Sequence, residues 1–385
     1  MSTLSLGPRP TFLVSRTDAI GDVVLTLPVC GRLRQLFPGC RVVLIGRTYT
    51  APVAAACPWV DDFLNLDELL QLPKPAQVAA LRSCQAAAII HVFPHRALAD
   101  LARRAGIPIR IGTRNRWWHW LSCNRLVRLS RRHSPLHEVQ LNLQLLQPLG
   151  AGAVPGLAEV AALVQLTAPE PLADWLRELL AQRQPGQLNV VLHPRSRGSA
   201  REWGLGNFGQ LARRLHRAGH RVFVTGTAAE GAELADWLRE HDACLAANLT
   251  GQLSLPQLLA FVAAADGLVA GSTGPLHLAA ALGRHALGLY PPIRPMHPGR
   301  WAPAQRLAWP KKLPWCSSPR PSPWPIGCAS CLPNANPASS TWCCTRAAAA
   351  APASGAPATM ASWPAACTGP ATACSSPAPL PKERN

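Results

Sequence analysis

Residues 266–283, Asp-Gly-Leu-Val-Ala-Gly-Ser-Thr-Gly-Pro-Leu-His-Leu-Ala-Ala-Ala-Leu-Gly, constrain the fold more than any other stretch. They read as a short apolar strand at 268–270, a turn of small residues at 271–274 and a helix from about 275 to 282. Pro275 suits the first helical turn, where its missing N–H is not needed, and Gly283 supplies a left-handed residue to end the helix. Strand, small-residue turn and helix in that order leave free backbone N–H groups at the helix start, pointing where an anionic group would sit. The same turn also suits a plain strand-to-helix connection that binds nothing. Thr273 and His277, polar side chains on the turn and the first helical turn, ask for a partner.

The chain opens with a similar unit. Residues 11–15 are β-prone, Arg16-Thr-Asp-Ala-Ile-Gly-Asp22 forms a glycine-bearing loop, and 23–36 is apolar at helical spacing. Asp22 falls at a helix start, where a carboxylate also serves as cap or dipole partner. Strands are then expected at 41–45, 62–64, 86–93 and 107–111, with helices near 52–56, 76–84 and 98–105 between and after them. Such alternation with short connections implies a parallel sheet covered on both faces. A helical segment at 137–149 closes this half, and 150–169, rich in Gly, Ala and Pro, contains the link to the next.

The second half repeats the pattern: a helix at 172–181, a strand at 189–192 running into His193-Pro-Arg-Ser-Arg-Gly-Ser-Ala-Arg-Glu-Trp203, a helix stopped by Gly219, and a strand at 221–224. That last strand enters Thr225-Gly-Thr-Ala-Ala-Glu230, with Gly226 in the turn and a carboxylate one turn into the following helix. Glu230 is placed to accept from a ribose, or simply to complement the helix dipole. Loops that follow parallel strands lie at one sheet edge, so 193–203, 225–230 and 271–277 are expected to converge. No G-x-G-x-x-G follows the first strand and no P-loop motif occurs, which counts against a nicotinamide dehydrogenase and a P-loop NTPase.

The formal charge of +18 over 385 residues asks for an anionic partner: nucleic acid, phosphorylated sugar or an acidic membrane face. Between 110 and 133, Arg110, Arg114, Arg116, Arg125, Arg128, Arg131 and Arg132 interleave with Trp117, Trp118 and Trp120. This mixture can bind phosphates, stack on rings or sit at a headgroup layer, and it also suits a solvated basic face. Six of the 13 cysteines are scattered singly through the first 310 residues, as in a reducing compartment. With a start that does not resemble a signal peptide and no apolar run long enough to span a bilayer, a cytoplasmic protein is expected.

Arg16-Thr-Asp-Ala-Ile-Gly-Asp22, His193-Pro-Arg-Ser-Arg-Gly-Ser-Ala-Arg-Glu-Trp203, Gly271-Ser-Thr-Gly-Pro-Leu-His277 and Tyr290-Pro-Pro-Ile-Arg-Pro-Met-His-Pro-Gly-Arg-Trp-Ala-Pro303 together resemble the family 9 glycosyltransferases, the ADP-heptose:lipopolysaccharide heptosyltransferases. The resemblance runs over roughly residues 10–308. It implies an α/β fold of GT-B type, two Rossmann-like domains facing a central cleft. The acceptor domain would occupy 1–165 and the nucleotide-sugar domain 166–310. It implies Asp22 as general base and Arg201, where the family usually has lysine, as the cation on the leaving diphosphate, with no metal and no cofactor beyond the ADP-heptose donor. Ser196, Gly226, Glu230, Leu253, Thr273, Gly274 and His277 would bind the donor. Arg125, Arg128 and Trp117 would meet a lipid A-linked core acceptor during peripheral contact with the cytoplasmic face of the inner membrane. Ser272 departs from the Asp of some heptosyltransferases, which keeps a family 9 enzyme with another nucleotide-sugar as an alternative. A basic nucleic-acid-binding protein, suggested by charge alone, is the alternative from a different class, whereas the family reading involves no nucleic acid.

Beyond residue 310 the periodicity stops and Ala, Pro, Ser, Cys and Trp take over. Seven cysteines gather there, but Cys328-Ala-Ser-Cys331 lacks a matching second pair for a zinc site. The composition of 311–385 is that of out-of-frame translation of GC-rich DNA, so a frameshifted, disordered tail is expected.

Overall fold

The computed structural model describes residues 6–131, 134–196, 202–290, 298–303 and 343–347. The first sheet contains β1 (Thr11–Ser15), β2 (Arg41–Gly46), β3 (Asp62–Asn65), β4 (Ala86–His91), β5 (Ile109–Thr113) and β6 (Arg125–Val127). They lie in the order β3-β2-β1-β4-β5-β6, every neighbouring pair parallel. The second sheet contains β7 (Asn189–His193), β8 (Arg221–Val224), β9 (Ala247–Asn248), β10 (Gly267–Gly271), β11 (His285–Tyr290) and β12 (Cys343–Ala347). Its order is β12-β11-β10-β7-β8-β9, parallel except for β12, which pairs antiparallel with β11. In each sheet the strand order reverses beside the first strand, at β1/β4 and at β7/β10, and a crevice opens beyond the strand ends at such a point.

Alternation along the strands explains the layers. Phe12, Val14, Val42 and Leu44 join one buried cluster, while Leu13, Val43 and Ile45 join another on the opposite sheet face. In the second sheet Val191, Phe223, Leu268 and Ala270 share the first of these clusters, and Val190, Leu192, Val222, Val224 and Val269 form a third. One apolar core therefore runs through both lobes. The connecting segment is fastened to each side: Thr167 donates to the Ala56 carbonyl and Leu166 to that of Ala281.

Several expected elements shift for local reasons. The single helix expected over 23–36 is two, Ile20–Val24 and Leu27–Leu36, because Pro28 has no N–H to give the preceding turn. The strand expected at 107–111 becomes Ile109–Thr113, since the Ile107 N–H closes the previous helix on the Ala102 carbonyl and Pro108 cannot donate. Segments to which the sequence pattern assigns no element supply β6, β9 and the helix Trp117–Ser122. Within the tail expected to be disordered, Cys343–Ala347 instead forms β12: Cys, Thr and Ala can extend, and β11 otherwise offers a bare edge.

Candidate active site

The two strand-end edges meet where the helix Ile20–Val24, after β1, packs on the helix Gly274–Ala281, after β10. Glycines make that approach possible. A Cβ on Gly21 would stand 2.8 Å from His277 Cδ2, and one on Gly274 would stand 3.0 Å from Ile20 Cβ. Asp22 and the 273–277 turn, 251 residues apart at Asp22 and Thr273, are thereby brought together.

Asp22 does not cap its own helix, which has Ala19 at the cap position and no side-chain cap. Its carboxylate is held by the Arg16 guanidinium, which also grips Asp18 through Nε at 2.5 Å and Nη2 at 2.9 Å. Arg16 is nearly buried, whereas the Asp22 side chain keeps 22% of its surface, enough to touch a substrate. Burial pushes the Asp22 carboxyl up to about 6 against the pull of Arg16, with Asp18 and Glu138 reinforcing the rise and Arg131 opposing it. The Arg16 pKa is raised even though burial, the largest influence, lowers it, because Asp18, Asp22 and Glu138 all face it. A carboxylate with this pKa is charged at neutral pH and still basic enough to take a proton.

The opposite wall carries polar side chains of the 273–277 turn and the β7 loop. Thr273 holds the cap position of the helix Gly274–Ala281, but its side chain makes no capping bond. Thr273 Oγ1 and His277 Nδ1 are buried and lack any hydrogen-bond partner among the described residues, as does Ser196 Oγ in the loop that follows β7. Buried polar atoms are usually paired, and these three lie at the adjacent ends of β7 and β10. Burial pushes His277 down to about 3, with His137 adding to the effect, so its ring is neutral and has one N–H to offer. Pro275 sits in the first turn and Gly283, at φ 74°, ends the helix as the sequence suggests.

Glu230 and Gly226 lie at the next strand end. Glu230 completes a capping box: Thr227 N donates to its Oε2 at 2.7 Å, and its own N–H donates to Thr227 Oγ1 at 3.3 Å. The Gly226 carbonyl accepts from Gly251 N at 2.9 Å, and half-buried Leu253 follows on the same edge, packed against the shared core. His193 Nδ1 pairs with Thr225 Oγ1 at 3.1 Å and ties β7 to β8. Arg201 falls in 197–201, outside the described residues, as do Arg132 and residues 291–297 of the motif from 290 to 303.

The basic segment divides by role. Trp117 is exposed with Arg96 over its ring, and Arg125 and Arg128 are exposed at and just after β6. Two other arginines are turned inward: Arg110 donates to the Ser122 and Ile107 carbonyls, and Arg131 to Glu138, Asn142 and the Val92 carbonyl. Arg131 is thus part of the protein's interior wiring rather than a headgroup cation. Arg16, Glu138, Asn142 and Arg300 were given no role from the sequence. Arg16 and Arg300 each stand inside a motif, but the meeting of Arg300 with Glu138 spans 162 residues and leaves no local signal.

The model for Glycosyltransferase family 9 (heptosyltransferase) matches residues 76–317. A Haemophilus influenzae protein named "Putative glycosyltransferase" is 26% identical over 304 residues, covering 76% of this chain and 85% of its own. Lipopolysaccharide heptosyltransferase 3 of Escherichia coli is 23% identical over 288 residues, 70% of this chain and 80% of that protein. The structure of E. coli heptosyltransferase WaaC with ADP-2-deoxy-2-fluoro heptose superposes with a TM-score of 0.56 at 20% identity, over 75% of this chain and 91% of that one. That superposition identifies the two facing sheets as the GT-B arrangement. With its fold and most of its described length accounted for in this way, the chain belongs to glycosyltransferase family 9 (heptosyltransferase).

Proposed function

We propose that the chain is an inverting heptosyltransferase that moves heptose from ADP-heptose to a hydroxyl of the inner core of lipopolysaccharide. The observation that carries this reading is the pairing across one seam of a partly exposed carboxylate raised to about 6, Asp22, with the unpartnered Thr273 Oγ1 and His277 Nδ1 at a helix N-terminus. Asp22 takes the acceptor proton as its oxygen attacks the anomeric carbon. The bond from that carbon to the diphosphate breaks, and its electron pair leaves on the β-phosphate oxygen. The amides opening the helix Gly274–Ala281, together with Thr273, His277, Ser196 and the Arg201 cation, meet that charge. Gly226, Glu230 and Leu253 take the nucleoside, and the leaving group needs no metal.

The acceptor side rests on the Trp117–Ser122 helix. Trp117, Trp120 and Leu121 are 58%, 55% and 71% exposed, and Arg96, Arg114 and Arg116 lie over the Trp117, Trp120 and Trp118 rings. Indoles and a leucine ringed by guanidinium groups suit the headgroup layer of an anionic bilayer. Arg125 and Arg128 are available for acidic groups of a lipid A-linked acceptor. The contact proposed is peripheral, on the cytoplasmic face of the inner membrane; no helix among the described residues is long and apolar enough to cross a membrane.

The test is nucleoside diphosphate release from a panel of nucleotide-sugars with a lipid A-linked core acceptor, with Asp22→Asn alongside and an EDTA arm. Heptose-dependent release that EDTA leaves intact and Asp22→Asn abolishes is expected. Equal release from a hexose donor would transfer the reading to another nucleotide-sugar. Such a shift would give meaning to Ser272, whose hydroxyl pairs with buried Tyr290.

A further inference from the structure

The base is set in a buried charge cluster that spans both lobes. Glu138 opens the helix Glu138–Gln144 with its side chain fully buried. Its Oε1 accepts from Arg131 Nε at 2.7 Å and lies 3.8 Å from Arg16 Nη1. Its Oε2 accepts from Arg300 Nη2 at 3.2 Å, and the other end of the Arg300 guanidinium donates to the Arg131 carbonyl. Arg300 belongs to the segment 298–303 following the second lobe's parallel strands, and His137 Nε2 fixes that segment at the Ala302 carbonyl, 2.7 Å away. Around one centre three guanidinium groups (Arg16, Arg131, Arg300) thus face three carboxylates (Asp18, Asp22, Glu138).

We propose that Glu138 is a positioning residue for the transfer reaction: it anchors Arg16, and through Arg16 the Asp22 carboxylate, with Arg300 completing its shell when the 298–303 segment is docked. The inference rests on Asp22 being the base. A buried carboxylate needs its cations, and the loss of one partner forces the rest to rearrange. With Arg300 gone, Glu138 has only Arg131 and Arg16 to draw on and pulls Arg16 away from Asp22. With Glu138 neutral, Arg16 is left entirely to Asp18 and Asp22. The groups facing Asp22 are Arg16 and Asp18 from its own loop, Glu138 and Arg131 beyond them, and Tyr49, which binds the Asp18 carbonyl; neutral His277 from the opposing helix lies against the neighbouring Gly21.

The two variants should therefore move the acidic limb of the pH–kcat profile in opposite directions. Glu138→Gln shifts it down by about half a unit or more and lowers kcat at pH 8 about tenfold, with donor KM held within about twofold. Arg300→Gln shifts the limb up, and Arg300→Lys restores it. A merely structural role would lower melting temperature and leave the limb in place. Asp22→Asn is measured in parallel. If it keeps activity, the base reading fails and takes this proposal with it. If it is inactive while folded Glu138→Gln and Arg300→Gln leave the limb unmoved, or move it the same way, the positioning role alone is overturned. Should Glu138→Gln show no cooperative melt, the Arg300→Gln and Arg300→Lys pair decides by the same criterion.

Discussion

Asp22 joins a functional advantage to a cost in stability. Its carboxyl is raised from the ordinary range to about 6 chiefly by burial, so the folded chain binds this proton more tightly than the unfolded chain does. The sign follows by linkage: stability attributable to this group is highest at low pH and falls as pH climbs through that window, by on the order of 2–3 kcal/mol in all. Asp22→Asn should accordingly melt no lower than the parent at pH 8, with the difference vanishing near pH 4, while turnover drops about 10²–10⁴-fold. In the parent, kcat/KM should decline below about pH 6 as the base protonates. A variant that lost both activity and melting temperature at pH 8 would instead mark Asp22 as structural. Gly21 invites a second substitution at this scale. An added methyl 2.8 Å from the buried His277 ring has no room, so Gly21→Ala should cost about 1–3 kcal/mol and most of the activity. Gly206 is exposed, helical and has nothing within 4 Å, so Gly206→Ala provides the contrast and should gain about 0.5–1 kcal/mol. Thermal melts of the two variants check both signs.

Among elements, those legible in the sequence are those whose reasons are local. The β10 strand, its small-residue turn and the helix Gly274–Ala281 are written in consecutive residues, with Pro275 and Gly283 as punctuation. β9 is two residues long and β6 three, too short for any alternation to declare itself; each exists because its neighbour offers an edge. The Glu138 cluster was invisible for a related reason: the polarity of Arg16, Glu138 and Arg300 says nothing of their meeting until the lobes are assembled. The helix Trp117–Ser122 is a third case: Trp117, Trp120 and Leu121 are exposed, so its apolar residues do not declare a core-facing side. Replacing Trp117, Trp120 and Leu121 by Ser removes exposed apolar area and no core, so folding should be unaffected. Co-sedimentation with vesicles of phosphatidylglycerol and phosphatidylethanolamine should fall about tenfold or more, and retained binding at low salt would assign the attraction to the arginines alone.

At the scale of the whole molecule, the proposed donor site would draw on four adjacent strand ends of one lobe, with a helix of the other packed beside them. A ligand that fills it should stabilise both lobes at once, because the core is shared across them. Binding at a hundredfold excess over Kd adds about 2.7 kcal/mol to the folded state, which for a chain of this size corresponds to a rise in melting temperature of roughly 3–8 °C. ADP alone should produce that shift in a single cooperative transition. Asp22→Asn should leave the shift intact, since the proposed base would meet the acceptor rather than the nucleotide. Thr273→Ala and His277→Ala should reduce it, because each removes a donor that is buried without a partner until a ligand arrives. The comparison separates recognition from chemistry: if ADP stabilised Thr273→Ala as well as the parent, the diphosphate would have to sit elsewhere, and the alignment of Asp22 with the helix Gly274–Ala281 would lose its catalytic meaning.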